Sequence, residues 1–247
     1  MTSIVDQHWL SPCILDSRIT AVDWGSAELS LDQYGNAVLP QLLTPDECRA
    51  LAALYTHEGI YRSRIVMSRH GFGSGEYKYF SYPLPGLIDS LRTAIYPYLM
   101  PIANRWNEQM HIKTRYPDEH AEFIRRCHEA GQTRSTPLIL KYGPNDYNCL
   151  HQDLYGEHVF PIQLAILLSQ RGQDFSGGEF VMTEQLPRRS TRVDVVALGQ
   201  GDALAFTVNT RPVPGKRGLV RATMRHGVSR VLSGQRYMLG IIFHDAR

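Results

Sequence analysis

A chain of 247 residues that is 43% hydrophobic and 20% charged, with a net charge of +2, carries enough apolar side chains for a large core. That composition excludes a disordered polyelectrolyte, and the longest apolar run, Leu164 to Leu168, is far short of the roughly 20 residues a membrane helix needs. The small net charge hides a split of +8 between Leu186 and Arg236 against −6 over residues 1–185, which makes one face a candidate for meeting an anion.

Near the start, Asp6, Gln7 and His8 interrupt any apolar core of a targeting signal. Cys13, Cys48, Cys127 and Cys149 lie far apart, with no C-x-x-C pair. The expectation is a reduced, cytoplasmic protein without membrane attachment. Thr44-Pro45-Asp46-Glu47 reads as a capping box that opens a helix towards His57. A second helical region covers Leu87 to Met110, with a break or kink expected at Pro97 and Pro101. A third runs from about Asp118 to Ala130 and stops at Gly131.

Between the first two helices, Tyr61 to Tyr82 interleaves Arg62, Arg64, Arg69, His70 and Lys78 with Phe72, Tyr77, Tyr79 and Phe80, and Gly71, Gly73 and Gly75 suggest a mobile loop. Cations and aromatics mixed in this way suit a single nucleic-acid strand, so Arg62, Arg64, Arg69, Tyr77 and Tyr79 are candidate substrate contacts. The competing reading is a glycine-rich lid over a small substrate.

After Gly131 the pattern becomes that of short strands: Pro137–Tyr142, Tyr147–Gln152, Phe160–Ser169, Glu179–Thr183, Val193–Leu198, Ala203–Val208, Arg225–Val231 and Arg236–Phe243. Eight strands without intervening long helices predict an α+β protein. A helical N-terminal section (1–135) is expected to pack, in one compact unit, against a β core (136–247) that is a two-sheet jelly roll, or double-stranded β-helix, with a closed barrel as the alternative. Arg188, Arg189 and Arg192, and the pair Lys216-Arg217, fall in expected loops as phosphate contacts or as solvated charges.

His151-Gln152-Asp153 closes the second of these strands, so the imidazole and the carboxylate project to one side. His226 opens the seventh. Two histidines and one carboxylate can hold Fe(II) on one face of an octahedron and leave three positions open for a cosubstrate and O₂. Arg236, ten residues on, can clamp the far carboxylate of a dicarboxylate such as 2-oxoglutarate, and Tyr142 can add a phenol donor. The bland alternatives are surface polar residues for the triad, a surface strand residue for Arg236 and core filling for Tyr142. His158 and His244 read as structural residues, or as supports of the ligands, rather than as ligands.

These residues resemble the Fe(II)/2-oxoglutarate-dependent dioxygenase superfamily. The stretch "YGPNDYNCLHQD" is similar to the approach to the metal motif in AlkB-type demethylases and prolyl 4-hydroxylases. Together with "SRHGFGSGEYKYF", "IANRWNE", "GGEFVMTEQ" and "GIIFHDA", it resembles a bacterial family of oxygenases described as acting on alkylated nucleic acid. The resemblance implies Fe(II) at His151, Asp153 and His226, 2-oxoglutarate at Arg236, and C–H hydroxylation with release of succinate and CO₂. On an N-methyl group the product would lose formaldehyde. The last strand has no second arginine, and the Gly-Gly-Glu turn is prolyl-hydroxylase-like. Protein side-chain or small-molecule hydroxylation therefore stays open, as does a non-catalytic sensor of iron or 2-oxoglutarate. No protein partner can be inferred.

Overall fold

The computed structural model describes residues 12–216 and 218–247. The expectation resting on Asp6, Gln7 and His8, and the Arg217 half of the basic pair, lie outside the described residues.

The described helices are α1 (Pro12–Thr20), α2 (Trp24–Tyr34), α3 (Pro45–Ala53), α4 (Gly86–Gln109) and α5 (His120–Glu129). The capping box forms: Thr44 accepts from Glu47 N, and Glu47 in turn accepts from Thr44 N. The same Glu47 carboxylate takes both terminal nitrogens of Arg18, at 2.8 and 2.7 Å, so the cap also anchors α1. The break expected in α4 does not occur; the helix runs through both prolines. Pro97 and Pro101 lie on its exposed side, where a carbonyl that loses its N–H partner can turn to water, while Leu91, Ile95, Leu99 and Trp106 are buried on the other. Beyond α5, Gly131 takes the left-handed φ of 79° expected of a helix stop. No described helix is long and apolar enough to cross a membrane, and Cys48, Cys127 and Cys149 are free thiols.

The described strands are β1 (Asn36–Leu39), β2 (Tyr61–Val66), β3 (Gly73–Ser74), β4 (Glu76–Phe80), β5 (Leu138–Tyr142), β6 (Tyr147–His151), β7 (Ile162–Leu167), β8 (Phe175–Gly177), β9 (Phe180–Gln185), β10 (Arg192–Val196), β11 (Ala203–Thr207), β12 (Thr210–Gly215), β13 (Gly218–Val228), β14 (Val231–Gly234) and β15 (Arg236–Ile241). All eight expected strands are present, and seven more join them. One sheet has the order β1-β11-β7-β15-β5-β4-β2, the other β10-β9-β13-β6-β3 with β12 on β13, and β8 pairs with β14. Every pairing between these strands is antiparallel.

Three of the added strands, β1, β2 and β4, come from the N-terminal section and extend the larger sheet at both ends. The Tyr61–Tyr82 segment is therefore a set of short strands rather than the mobile loop expected. Its glycines mark close approach. A Cβ on Gly73, at φ 126°, would lie 2.4 Å from the Tyr147 carbonyl, and one on Gly75 would lie 2.9 Å from the Tyr142 ring. β12 escaped notice because Pro212 and Pro214 read against a strand; it pairs only with β13, and an edge position tolerates proline.

The larger sheet is buried on both sides. Leu164, Ile166, Ala203, Ala205 and Leu239 face the helices, whereas Ala165, Leu167, Leu204, Phe206 and Met238 meet Phe180, Met182 and Met224 of the smaller sheet. This is the double-stranded β-helix with its helical layer outside. In β7 the side chains alternate between the two cores, which sends Gln163 towards the smaller sheet.

His120 shows what burial in the helical layer costs. It packs on Tyr96 and Phe243, its Nε2 bonds the Phe243 carbonyl at 2.8 Å, and burial, helped by the Arg92 charge, pushes its pKa down to about 4. The unfolded chain takes up this proton near pH 6.5 and the folded chain only near pH 4. Stability present above pH 6.5 is thus lost as pH falls towards 4, by about 3 kcal/mol in total. His120→Asn should make the melting temperature fall less steeply across that window, where the buried His244 still contributes. Parallel profiles for wild type and variant would exclude His120 as the source.

Candidate metal centre

β6 and β13 lie side by side with His151 directly opposite His226. The sequence placed His226 at the opening of its strand, but that strand begins at Gly218, and His226 is near its end. Asp153, two residues past the end of β6, turns its carboxylate between the two imidazoles. Oδ1 is 3.5 Å from His151 Nε2 and Oδ2 is 3.3 Å from His226 Nε2. One ligand atom from each of the three lies within 4.8 Å of the others. Two imidazole nitrogens and one carboxylate oxygen are the donor set that suits Fe(II) with open positions.

Hydrogen bonds fix His151 and Asp153, and packing holds the His226 ring. His151 Nδ1 is 2.8 Å from the Cys149 carbonyl; a proton there leaves Nε2 as the free lone pair. His226 is packed by Phe180, nearly parallel at 5.8 Å, and by Phe206 at 4.6 Å. Tyr155 Oη donates to Asp153 Oδ1 at 2.7 Å, and Gln163 Nε2 donates to Oδ2 at 2.6 Å. Burial pushes the Asp153 pKa up, but the His151 and His226 imidazoles facing it outweigh burial and hold the carboxyl well below its usual range. Burial holds His226 below its ordinary value, while Asp153 and the Cys149 carbonyl outweigh burial at His151 and raise it. An ionised carboxylate is what a cation needs.

Tyr155 and Gln163 were missed by sequence reasoning, although each carried a signal. Tyr155 stands two residues beyond Asp153. Gln163 is a lone polar residue in a fully buried strand, where it must find a partner.

The triad lines a cavity of about 200 Å³ whose wall includes Tyr77, Tyr142, Gln163 and Met238. Arg236 opens β15 opposite Tyr142 in β5. It is 1% exposed, yet its Nε and Nη1 have no hydrogen-bond partner. Its Nη2 reaches the sulfur of Met238 at 3.5 Å, and its guanidinium carbon stands 5.5 Å from the Tyr142 ring and 5.8 Å from that of Phe175. Burial lowers its pKa to about 10, which leaves it charged at neutral pH. Gly178 permits this seat, because a Cβ there would lie 2.9 Å from Arg236 Cδ. The Tyr142 hydroxyl is also buried without a well-formed hydrogen bond, and burial raises its pKa. Tyr142 lines the cavity of the triad, and Arg236 stands behind its ring in a small neighbouring space; a phenol and a buried cation with unmet donors fit a carboxylate ligand, which supplies only acceptors.

Of the five candidate substrate contacts, Tyr77 is in the cavity wall. Tyr79 packs edge-on against it at 5.3 Å, and Arg62 lies 4.2 Å over the Tyr79 ring while its Nε donates to the Ser135 carbonyl. Arg69 is exposed on the 3₁₀ turn Met67–Arg69. Arg64 belongs elsewhere: it is bonded to Glu76, whose side chain alternates with that of Tyr77 and so leaves on the opposite sheet face. Phe72, 47% exposed and stacked on His70 at 5.4 Å, joins the cavity wall instead.

Two of the described basic residues between Leu186 and Arg236 turn inward. Arg211 is buried and bonded to Glu184, Arg192 shares that carboxylate, Arg221 donates to the Met110 carbonyl, and Arg236 is interior. Arg188, Arg189, Lys216 and Arg225 are exposed. His244 is buried, its Nδ1 taken by Phe160 N, and burial lowers its pKa to about 3. The backbone N–H of His158 bonds Gln132.

A family model described as "Oxygenase, catalysing oxidative methylation of damaged DNA" matches residues 75–246. Two uncharacterised proteins of Mycobacterium tuberculosis are each 48% identical over 167 residues, which is 68% of this chain and 72% of theirs. Among solved structures, the chain is similar to a Trichoplax adhaerens prolyl hydroxylase in complex with a hypoxia-inducible-factor peptide (TM-score 0.58, 12% identity, 94% of this chain and 92% of that one). It is also similar to a Pseudomonas putida prolyl-4-hydroxylase (TM-score 0.54, 14% identity, 91% and 99%). A third likeness is to a 2OG-Fe(II) oxygenase family member from Burkholderia pseudomallei (TM-score 0.51, 15% identity, 92% and 94%). At these identities the likeness is one of fold.

Proposed function

The chain belongs to the Oxygenase-NA family and is a 2-oxoglutarate, Fe(II) oxygenase, and on that premise we propose that it demethylates alkylated nucleobases by hydroxylating an N-methyl carbon. The observation that carries the reading is a two-histidine, one-carboxylate cluster in a cavity whose wall includes Tyr142, with the buried, unpartnered Arg236 guanidinium 5.5 Å from that ring. That pairing of an anion receptor with a metal donor set suits an enzyme that consumes a dicarboxylate at a metal. When bound, Fe(II) and 2-oxoglutarate supply O₂ activation, one oxygen going to succinate and the other into the substrate C–H bond.

The chain's own groups do the rest. His151, Asp153 and His226 would hold the metal from one side, with Tyr155 and Gln163 keeping the carboxylate in place. Arg236 and Tyr142 would take the far carboxylate of 2-oxoglutarate and so orient its other end towards the triad. Phe180 and Phe206 keep water from the His226 side of the cavity. Tyr77 and the exposed Phe72 offer flat faces at the cavity against which a base can stack. Insertion of oxygen into the N–CH₃ group gives N–CH₂OH, which loses formaldehyde and leaves the N–H base. The family description supports the nucleic-acid side of this reading.

The test supplies the Fe(II)-loaded protein with 2-oxoglutarate and either an N-methylated single strand or its unmethylated twin. Only the methylated strand should stimulate succinate release, by about tenfold or more, with formaldehyde in equal amount. Succinate coupled to a hydroxylated peptide or small molecule, without formaldehyde, would replace the nucleobase with that substrate. Metal and 2-oxoglutarate binding with no coupled succinate from any substrate would indicate a sensor.

A further inference from the structure

Among the unmet hydrogen-bonding groups of the cavity is one that 2-oxoglutarate cannot satisfy. Gln163 is 5% exposed and lies in the cavity wall on the inner face of the larger sheet. Its Nε2 donates to Asp153 Oδ2 at 2.6 Å. An ionised carboxylate only accepts, so the amide cannot turn over without setting oxygen against oxygen. Oε1 is thereby fixed as the free end, and it is buried without a partner. Of the buried side-chain atoms without a partner among the described residues, it alone can act only as an acceptor. The arginine nitrogens donate, and the tyrosine hydroxyls and histidine nitrogens can do either.

At neutral pH 2-oxoglutarate is a dianion with acceptors alone. It can answer Arg236 and Tyr142, but it brings nothing to Gln163 Oε1. A buried acceptor is expensive to leave empty, and besides water the occupant left to meet it is the primary substrate. We infer that Gln163 Oε1 accepts a hydrogen bond from an N–H group of the substrate beside the oxidised methyl, which makes Gln163 the specificity-determining residue for substrates with an amino group there. The other end of the same amide holds Asp153. A donor arriving at Oε1 polarises the amide and strengthens its grip on that carboxylate, so recognition and metal geometry share one side chain. A peptidyl proline has no N–H to offer this acceptor.

The inference rests on the nucleobase reading, and the experiment separates the two. Two single-stranded oligonucleotides differ at one base, 1-methyladenine in one and 1-methylhypoxanthine in the other. Size and methyl position are alike, but the amino group next to the methylated nitrogen is replaced by a carbonyl. Binding is measured by fluorescence anisotropy without O₂, using the full chain with Fe(II) and 2-oxoglutarate. Wild type should bind the amino-bearing strand about tenfold or more tightly than the other. Gln163→Met, which keeps the length of the side chain, should bring the two within about twofold by weakening the amino-bearing strand. Gln163→Leu serves as a second variant should the first not fold.

Binding of both strands with equal affinity by wild type, or a preference that survives in the variants, would overturn the role of Gln163 and leave the nucleobase reading standing. An equal loss for both strands on substitution would also overturn it, since a residue acting only through Asp153 cannot distinguish them. Binding of neither strand would overturn the nucleobase reading itself, and this inference with it.

Discussion

Arg236→Met should give a protein that is more stable without ligand and yet needs far more 2-oxoglutarate. The guanidinium is buried, charged at neutral pH and has no carboxylate partner, so the empty protein carries its desolvation cost uncompensated. An apolar side chain of similar length removes that cost and should stabilise the ligand-free fold by about 1–3 kcal/mol, a rise of several degrees in Tm. The bound state loses its charge-assisted contacts, worth about 2–5 kcal/mol when one partner is truncated. The concentration of 2-oxoglutarate needed for half-maximal succinate release should then rise by between about 30-fold and several thousandfold. Arg236→Lys should fall between, because an ammonium keeps the charge but not the forked donor geometry. Thermal melts and titrations on the same samples check both halves. An unchanged 2-oxoglutarate requirement would remove Arg236 from the role, and a lower ligand-free Tm would mean that it is paired in solution.

Asp153→Ala should abolish Fe(II) binding and turnover while the fold persists. The carboxylate is the one anionic donor of the three, and both imidazoles turn towards it. Its removal should cost activity on the order of 10³-fold or more, since two neutral nitrogens cannot replace the lost charge at a hard divalent cation. The substitution also strands the Tyr155 hydroxyl and the Gln163 amide, each of which now donates to this carboxylate. A modest loss of stability is therefore expected, with an unchanged far-ultraviolet dichroism spectrum. Equilibrium dialysis against Fe(II) and single-turnover succinate measurements are the checks. A variant that bound iron and turned over normally would sink the assignment of the metal centre.

Both variants act on residues that could be read from the chain, which reflects how local their signals are. The His151-x-Asp153 spacing keeps the two side chains within reach of one ion even though β6 ends at His151. Thr44 to Glu47 caps its own helix within one turn, and Gly131 stops another. The eight strands of the C-terminal half show themselves as apolar runs bounded by turns. The expectations that failed depended on neighbours. Pro97 and Pro101 predict a broken helix until α4 proves to have an exposed side that can bear them. The glycines after Tyr61 read as looseness until Gly73 meets the Tyr147 carbonyl of another strand.

The sequence by itself determined the fold class and the His151–Asp153 pair, because these are encoded in apolar runs and in spacing across one turn, and it singled out His226 and Arg236 by side-chain type and by their place in later strands. Only the tertiary structure decided that Arg64 leaves on the wrong sheet face, that Arg211 of the basic block is buried on Glu184, and that Arg236 and Gln163 are buried with atoms unmet. Those facts depend on which strands pair and in what register. A shift of one residue exchanges the faces of a strand, and no stretch of sequence carries its partner's register within itself.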